Sequence, residues 1–379
     1  MSTAESRSPT SGPQQKPFDI EKIRKLAEPF YLNILIGALF GFALHRGRVH
    51  EVSLIIGQMS FSHFVMLKMF LTAAATSMLA FWALPKFFNT PVNRAPITEN
   101  FPRGLQGVVI GCSILGVGMT LSVSCPASVY AQVGAGSFGG LVVLLGGLLG
   151  AYLFGLYDAY CANHPSFKDY RMEGRLPANQ AYLENIIAGG KYTYDQVVLG
   201  LSGAFFMIVI LLELIVNWRS DIASVEPNAT FWNASPAIIS GFLVGLAQFL
   251  SFKTTSKPLG SSSSFSCYIA NNCPVPGSPY HQVVNKSHQF QIAAMVGVSL
   301  GAALSGLASL RLFVGADISY FRLFLGGILL IFGGQFAHGC TSGHGMTGLG
   351  LLSTYAAAGV ASMFGSAILT RIVLALFGI

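Results

Sequence analysis

Two cysteines in this chain stand in short segments of small and polar residues, where a thiol could contact an anion. Residues 123–128 read VSCPAS around Cys125, and residues 339–345 read GCTSGHG around Cys340. We call residues 123–136 the first elbow and residues 339–350 the second elbow. Serine is a common helix cap and proline is common in the first turn, so Ser124 is predicted to cap a short helix with Pro126 in its first turn.

Helix starts and thiols together suggest anion binding at the elbows. Free amide groups at a helix start attract anions, and a thiol donates a weak hydrogen bond that suits sulfur. Weak, repeated sites favour passage, because an anion that is bound too tightly is not released. The predicted substrate path comprises Ser124, Cys125, Gly339, Cys340, Thr341, Ser342, Gly343 and His344.

The two elbows occupy equivalent positions in an internal repeat. With a constant offset of 215 residues, Cys125 matches Cys340, and three glycines (111, 118 and 150) match glycines 326, 333 and 365. A Gly-x-Gly pair follows each cysteine, at 134–136 and, one residue closer, at 348–350. A further pair of Gly-x-x-x-Gly motifs starts at Gly37 and at Gly241. The chain therefore divides into two related halves.

The elements that carry the elbows are predicted to be membrane-spanning helices. Hydrophobic residues make up 52% of the chain and charged residues only 10%, far below the share typical of soluble domains. Apolar stretches near the roughly 20 residues that a bilayer requires run over 30–47, 61–84, 104–124, 137–157, 194–217, 235–252, 289–310, 321–338 and 352–378. We therefore expect an all-α integral membrane protein with about nine transmembrane helices.

The order of these stretches predicts two inverted repeats in one domain. Residues 1–29 are polar and form a predicted tail, and residues 30–379 form a single transport domain. The first repeat covers about 30–157, the linker helix about 194–217 and the second repeat about 235–378. A single linker helix inverts the second repeat, and the elbows then become short re-entrant half-helices that meet near the centre of the bilayer.

Basic residues predict the orientation of the chain in the membrane. Of the 22 lysines and arginines, 15 lie in the tail and in the loops 85–103, 158–193 and 253–288. Because positive loops stay in the cytoplasm, the N-terminus is predicted to be cytoplasmic. Two Asn-x-Ser/Thr sequons, at Asn228 and Asn233, fall on the opposite side, and we favour the plasma membrane. No basic soluble domain is visible, so nucleic acid is not expected as a partner.

The second elbow also carries a family resemblance. Residues 333–345, GGQFAHGCTSGHG, resemble the signature of the YeeE/YedE family of sulfur-transport membrane proteins, which includes bacterial thiosulfate uptake transporters. The resemblance covers roughly residues 31–375 and implies nine spans, an hourglass shape and buried cysteines, here Cys125 and Cys340, that relay thiosulfate. It also implies a small cytoplasmic sulfur-carrier protein as a partner.

Two segments depart from the pattern of that family. Ser124 and Pro126 flank Cys125 where bacterial members tend to have glycines. Residues 45–51 read HRGRVHE and lack a cysteine that bacterial members carry after the first span. A third relay thiol is therefore missing at that position.

Several other residues allow two interpretations. Glu213, within a span, could bind a coupling proton or pair with another helix, whereas Lys68 is expected to reach the membrane interface. The serine run 261–264 could line a vestibule, but a flexible polar loop is the preferred interpretation. Cys112 and Cys161 are interpreted as packing residues. His338, Cys340 and His344 form an incomplete ligand set, so neither metal nor cofactor is expected.

Three functional classes fit a membrane protein of this kind. Transport of a small sulfur-containing anion, thiosulfate in the first place, explains the repeat, the glycines and the paired cysteines together, and it is not an enzymatic function. A membrane thiol–disulfide oxidoreductase would use the same two cysteines, but no Cys-x-x-Cys motif is visible. A membrane scaffold would leave the matched cysteines unexplained. The expected partners are therefore the anion, the lipid bilayer and the cytoplasmic carrier protein.

Overall fold

The computed structural model describes residues 20–95, 101–164, 175–282, 289–312 and 318–378. In the first half the helices are α1 (Ile20–Arg46), α2 (Val52–Met59), α3 (Val65–Phe87), α4 (Gly104–Ser122), α5 (Pro126–Gly134) and α6 (Phe138–Asn163). The linker is α7 (Tyr194–Ile215). The second half contains α8 (Ala237–Thr255), α9 (Ser261–Asn272), α10 (Gln289–Ala308), α11 (Tyr320–Phe336), α12 (Thr341–Gly348) and α13 (Thr354–Leu376).

Short turns of helix complete the described chain. They span Ala178–Gln180, Leu183–Ile186, Ile187–Gly190 and Trp218–Asp221. Within the described ranges the only extended pairing is an isolated bridge between Tyr182 and Ser353. The structure is therefore all-α, as predicted.

The helices have the lengths and compositions of membrane spans. Seven segments in the described residues are long and apolar enough to cross a bilayer, and α11 with α12 forms an eighth that is bent by 41°. The apolar part of α1, Phe30–Arg46, is slightly shorter. Each of the nine predicted spans thus coincides with a helix. Most of the linker α7 lies on the surface of the protein, as expected for a span that contacts lipid.

The N-terminal boundary differs from the prediction. Residues 1–19 of the predicted polar tail lie outside the described part of the chain. The helix of the first span begins at Ile20, ten residues before the predicted start of that span, and continues unbroken to Arg46. Residues 20–29 of the predicted tail are therefore an extension of α1.

Helix contacts are exchanged between the two halves. Helix α1 packs against α10, and its counterpart α8 packs against α3; likewise α4 packs against α13, and α11 against α6. The short helices follow the same rule, because α5 packs on α10 and α12 packs on α3. The pairs α1–α8 and α4–α11 contact their own counterparts. This exchange is the pattern that a pseudo-twofold axis between two repeats produces.

Glycines from the repeat lie where helices approach closely. A Cβ on Gly37 or Gly41 would come within 1.9 Å of a carbonyl oxygen of α10. In the counterpart crossing, a Cβ on Gly241 or Gly245 would lie 2.6 or 2.5 Å from a threonine Cβ of α3. Such small-residue contacts allow membrane helices to approach each other closely. The Gly-x-x-x-Gly motifs therefore join one half to the other.

Candidate functional site

The first elbow is a sharp turn closed by its own cysteine. Val123 ends α4 in a left-handed conformation, with φ at 48°. Cys125 then caps α5: its Sγ accepts a hydrogen bond from the Ser128 amide at 3.3 Å, and its own amide donates to Ser128 Oγ at 2.7 Å. Pro126 occupies the first helical turn, as predicted.

The predicted role of Ser124 as the helix cap was wrong. Its buried hydroxyl instead lies 2.6 Å from Gln132 Oε1, to which it donates, and 3.1 Å from the Ser122 carbonyl oxygen. Ser124 lies one residue too early for its hydroxyl to reach the amides at the start of α5. The Cys125 thiol, which is partly exposed, therefore caps α5 in place of Ser124.

The second elbow holds its cysteine among hydroxyl groups. Cys340 is fully buried, and its Sγ lies 3.4 Å from Ser261 Oγ and 3.3 Å from Ser342 Oγ. The Ser261 amide also donates to Ser342 Oγ at 3.2 Å. The chain is extended at Cys340 and then enters α12, whose hydrogen bonds have the wider π spacing often found at functional sites. A short helix therefore follows each cysteine, as predicted.

The remaining predicted residues of the second elbow surround Cys340. His344 Nε2 lies 3.2 Å from the Ala337 carbonyl oxygen, and its ring stacks on Phe101 with 5.8 Å between centroids. A Cβ on Gly339 would approach His344 Nε2 to 2.6 Å, so glycine is needed for this arrangement. The buried Thr341 hydroxyl has no hydrogen-bond partner among the described residues.

Gly343 opens the second elbow to free space. A Cβ placed there would meet no atom within 4 Å, although the neighbouring residues Ser342 and His344 are buried. The elbow therefore combines tightly packed thiol and hydroxyl groups with room beside the backbone at Gly343.

Helix α9 connects the two elbows. Its first residue, Ser261, contacts Cys340, and Ser264, one turn later, bonds to the hydroxyl of Tyr130 in α5 at 2.9 Å. Ser264 Oγ also donates to the Ser261 carbonyl at 2.6 Å. One turn of helix rises only about 5.4 Å. Side chains of both elbows thus contact the first turn of α9.

The interpretation of the serine run as a flexible polar loop was wrong. Residues 261–264 begin a regular helix, and Ser261, Ser262 and Ser264 are buried. The sequence carried one usable signal: the run follows the sixth span, as residues 45–51 follow the first. The helix was missed because the four residues are all serine, which is favoured in turns as well as at helix starts.

Sequence reasoning also missed a charged network beside the second elbow. Arg103, at the start of α4, donates to the Phe336 carbonyl at 3.3 Å and to Asp158 Oδ1 at 3.2 Å. Its Nη1 lies 3.1 Å from His338 Nε2. Asp158 Oδ2 accepts hydrogen bonds from Ser278 Oγ and from the Tyr280 amide. The network fixes the backbone that leads into Cys340.

Cys112 and Cys161 are both buried, in agreement with the packing interpretation. Cys112 nevertheless lies near the second elbow. A Cβ on Gly359 would be 3.1 Å from Cys112 Sγ and 3.2 Å from His344 Cγ, so both side chains border the same small space.

Glu213 is engaged by structural partners. Its Oε2 accepts from Lys68 Nζ at 2.9 Å and its Oε1 from the Trp218 amide at 2.7 Å. Lys68 is fully buried and also lies 3.2 Å from Asp221 Oδ2. The expectation that Lys68 reaches the interface was wrong, because two carboxylates hold it inside. These contacts favour the pairing interpretation of Glu213.

His338, Cys340 and His344 do not converge on a common point. His338 is directed to Arg103, whereas His344 folds back towards Ala337. Within the described residues no group of three His, Cys, Asp or Glu side chains is arranged to hold a metal ion.

Comparison with known proteins decides the family. The model of a family described as "Sulphur transport" matches residues 46–369, which include both elbows, the second to the eighth predicted spans and most of the ninth. The chain belongs to this sulphur transport family. The resemblance inferred from the second elbow is thereby confirmed, together with a role in membrane transport.

One relative is named as a thiosulfate transporter. The thiosulfate transporter TsuA of Spirochaeta thermophila is 23% identical over 329 residues, which cover 84% of this chain and 91% of that protein. The chain is therefore similar to a thiosulfate transporter over most of its length.

Proposed function

We propose that this chain transports a small sulfur-containing anion, thiosulfate in the first place, across the membrane by way of Cys125 and Cys340. The family and the thiosulfate transporter among the relatives support the class of substrate. The observation that carries the path is helix α9, which contacts Cys340 through Ser261 and the first elbow through Ser264.

The proposed relay is a transfer of hydrogen bonds without any covalent step. A large, soft anion that leaves water must exchange hydration for donors that are numerous but individually weak. Cys125, Cys340 and Ser342 supply such donors, and the turn at Gly343 supplies space. Because both cysteines remain thiols throughout, the relay requires no oxidant or reductant.

The test is uptake of radiolabelled thiosulfate by vesicles that contain the protein. Cys125→Ala and Cys340→Ala should each abolish most uptake, because each removes the thiol at one elbow. Cys161→Ala is the matched control, since Cys161 is buried as Cys340 is, but lies near the end of α6. Its uptake should equal that of the native protein.

The possible outcomes separate the functional classes. Native uptake that survives both elbow substitutions would contradict the cysteine path and leave a transporter of another mechanism. Absence of uptake, together with a change in the redox state of Cys125 and Cys340 when reductant is added, would favour the oxidoreductase. The same proposal places the N-terminus in the cytoplasm and the protein in the plasma membrane. It also includes a small cytoplasmic sulfur-carrier protein as a partner.

A further inference from the structure

The junction between α1 and α2 holds a buried guanidinium group with unmatched donors. Arg48 is fully buried, and its Nη2 donates to Glu226 Oε2 at 2.8 Å and to the Asn233 carbonyl oxygen at 2.7 Å. Its Nε and Nη1 have no hydrogen-bond partner among the described residues. A buried charged donor without a partner is costly, so these two groups are available to bind a ligand.

Two buried histidines lie beside Arg48 in the same junction. The rings of His45 and His50 stack with their centroids 4.3 Å apart, and His45 Nδ1 lies 2.9 Å from Ser305 Oγ. Nε2 of His45 and Nδ1 of His50 have no hydrogen-bond partner in the described part of the chain. With Nε and Nη1 of Arg48, the junction therefore contains four nitrogen atoms without a partner, and they belong to three buried side chains.

The acidic residues nearby are already occupied by a second arginine. Arg311 donates through Nε to Glu51 Oε1 at 3.0 Å and through Nη1 to Glu226 Oε2 at 3.3 Å. Glu51 Oε1 is 4.0 Å from Arg48 Nη1, which is too far for a hydrogen bond. Two arginines and two glutamates balance in charge, yet the hydrogen-bonding capacity of Arg48 is not used up.

The junction adjoins the first elbow directly. Gln132, in the short helix that Cys125 caps, donates through Nε2 to the His50 carbonyl oxygen at 3.1 Å. The same side chain accepts the Ser124 hydroxyl through Oε1. In the second half the equivalent junction, between α8 and α9, places Ser261 on Cys340. Each junction thus touches the elbow of its own half.

From this geometry we propose that Arg48, with His45 and His50, forms a binding site for a small oxyanion next to the first elbow. A guanidinium group binds oxyanions through charge-assisted hydrogen bonds, which are about twice as strong as neutral ones. The site would bind the anion through one cation and two imidazoles, since residues 45–51 contain no cysteine. Its assignment to thiosulfate rests on the proposed function, whereas its preference for oxyanions does not.

The experiment measures anion binding and transport on the same full-length variants. Purified protein is titrated with sodium thiosulfate and with sodium sulfate at constant ionic strength, and binding is read from thermal unfolding. Arg48→Gln should weaken binding about tenfold or more, because a lost hydrogen bond to a buried charge changes affinity by at least that factor. Arg219→Gln removes an exposed positive charge that stacks only on its neighbour Trp218, and it should bind as the native protein does.

Two further measurements test the site even if Arg48→Gln fails to fold. Arg48→Lys retains the charge and should bind the anion with intermediate affinity. Density for the anion in the native protein should appear within hydrogen-bond distance of Arg48 Nε or Nη1. Density for water alone at that position, in the presence of saturating thiosulfate and sulfate, would overturn the site.

The site and the proposed function fail in different ways. Thiosulfate uptake that depends on Cys125, together with unchanged binding and half-saturation in a folded Arg48→Gln variant, would overturn the site and leave the proposed function. Binding of sulfate or thiosulfate that is lost in Arg48→Gln, without any thiosulfate uptake by the native protein, would support the site and contradict the proposed function.

Discussion

Cys125 and Cys340 occupy equivalent positions but have different surroundings. The Cys125 sulfur accepts a hydrogen bond from the backbone of its own helix, which leaves the S–H group directed elsewhere. Cys340 instead lies between the hydroxyls of Ser261 and Ser342, which can donate or accept by rotation. The second thiol therefore has one partner in its own elbow, Ser342, and one on a different helix, Ser261 of α9.

Ser261→Ala should impair transport while the fold is retained. The substitution removes the hydroxyl that contacts both Cys340 and Ser342, and a typical lost hydrogen bond costs only about 1 kcal/mol of stability. Thiosulfate uptake should fall several-fold at low substrate concentration. Ser263→Ala is the control, because its hydroxyl bonds only to the Gly260 carbonyl oxygen. Equal uptake by both variants would exclude a role for Ser261.

Gly343→Val should block the path without unfolding the protein. A Cβ at this position meets no atom within 4 Å, so the side chain fits but fills the space beside Cys340. Gly365→Val is matched to it, since Gly365 also has no neighbour within 4 Å but is exposed on α13. Uptake should be lost in the first variant and kept in the second. Normal uptake by Gly343→Val would show that the anion passes elsewhere.

At the level of helices, glycine crossings hold the two halves together. The contact of α1 with α10 leaves no room for a Cβ at Gly37 or Gly41, and the equivalent contact of α8 with α3 is nearly as tight. These crossings fix the α1–α2 and α8–α9 junctions, and through them the surroundings of both elbows.

Gly41→Leu should destabilise the protein strongly. Its Cβ would lie 1.9 Å from the Val298 carbonyl oxygen, so α1 and α10 must separate. Overpacking of a core typically costs about 1–3 kcal/mol, and a backbone clash belongs at the upper end of that range or beyond it. The midpoint of thermal unfolding in detergent should fall by several degrees. Gly203→Leu, at a position on α7 without neighbours within 4 Å, should leave the midpoint unchanged.

The composition and the length of the apolar stretches were sufficient for the spans, because each of these helices is apolar over the thickness of a bilayer. The offset between Cys125 and Cys340 was sufficient for the short helices that follow them. Pairings between distant residues could not be predicted: Lys68 with Glu213 and Asp221, and Ser261 with Cys340, depend on how helices face each other. The cap was misassigned because thiols seldom serve as helix caps.

At the level of the whole molecule, the exchanged contacts make the two halves interdependent. Helices α1 and α3 pack on α10 and α8, and α4 and α6 pack on α13 and α11. The largest helix contacts of each half are therefore made with the other half. Because each elbow also contacts the opposite half, through α5 on α10 and α12 on α3, the site exists only in the complete fold.

Cys273 provides a test of the orientation of the molecule. It is exposed, whereas Cys112, Cys161, Cys267 and Cys340 are buried and Cys125 is partly so. Cys273 follows α9 on the side predicted to be cytoplasmic. A membrane-impermeant maleimide should label it in inside-out vesicles and spare it in intact cells, and Cys273→Ser should abolish that label. Labelling of intact cells that is lost in Cys273→Ser would reverse the predicted topology.

The dependence of Cys340 on helix α9 also has a consequence for biosynthesis. Residues are made in chain order, so Cys125 and its short helix enter the membrane well before residues 261–264 and 340–342 leave the ribosome. Until then Tyr130 has no hydroxyl partner in α9, and the glycine faces of α1 have no α10 to cover them. The newly made first half must therefore wait in the bilayer with polar and helix-packing surfaces open to lipid. A nascent chain arrested before residue 289 should accordingly be a substrate for membrane quality control, whereas the finished chain should not.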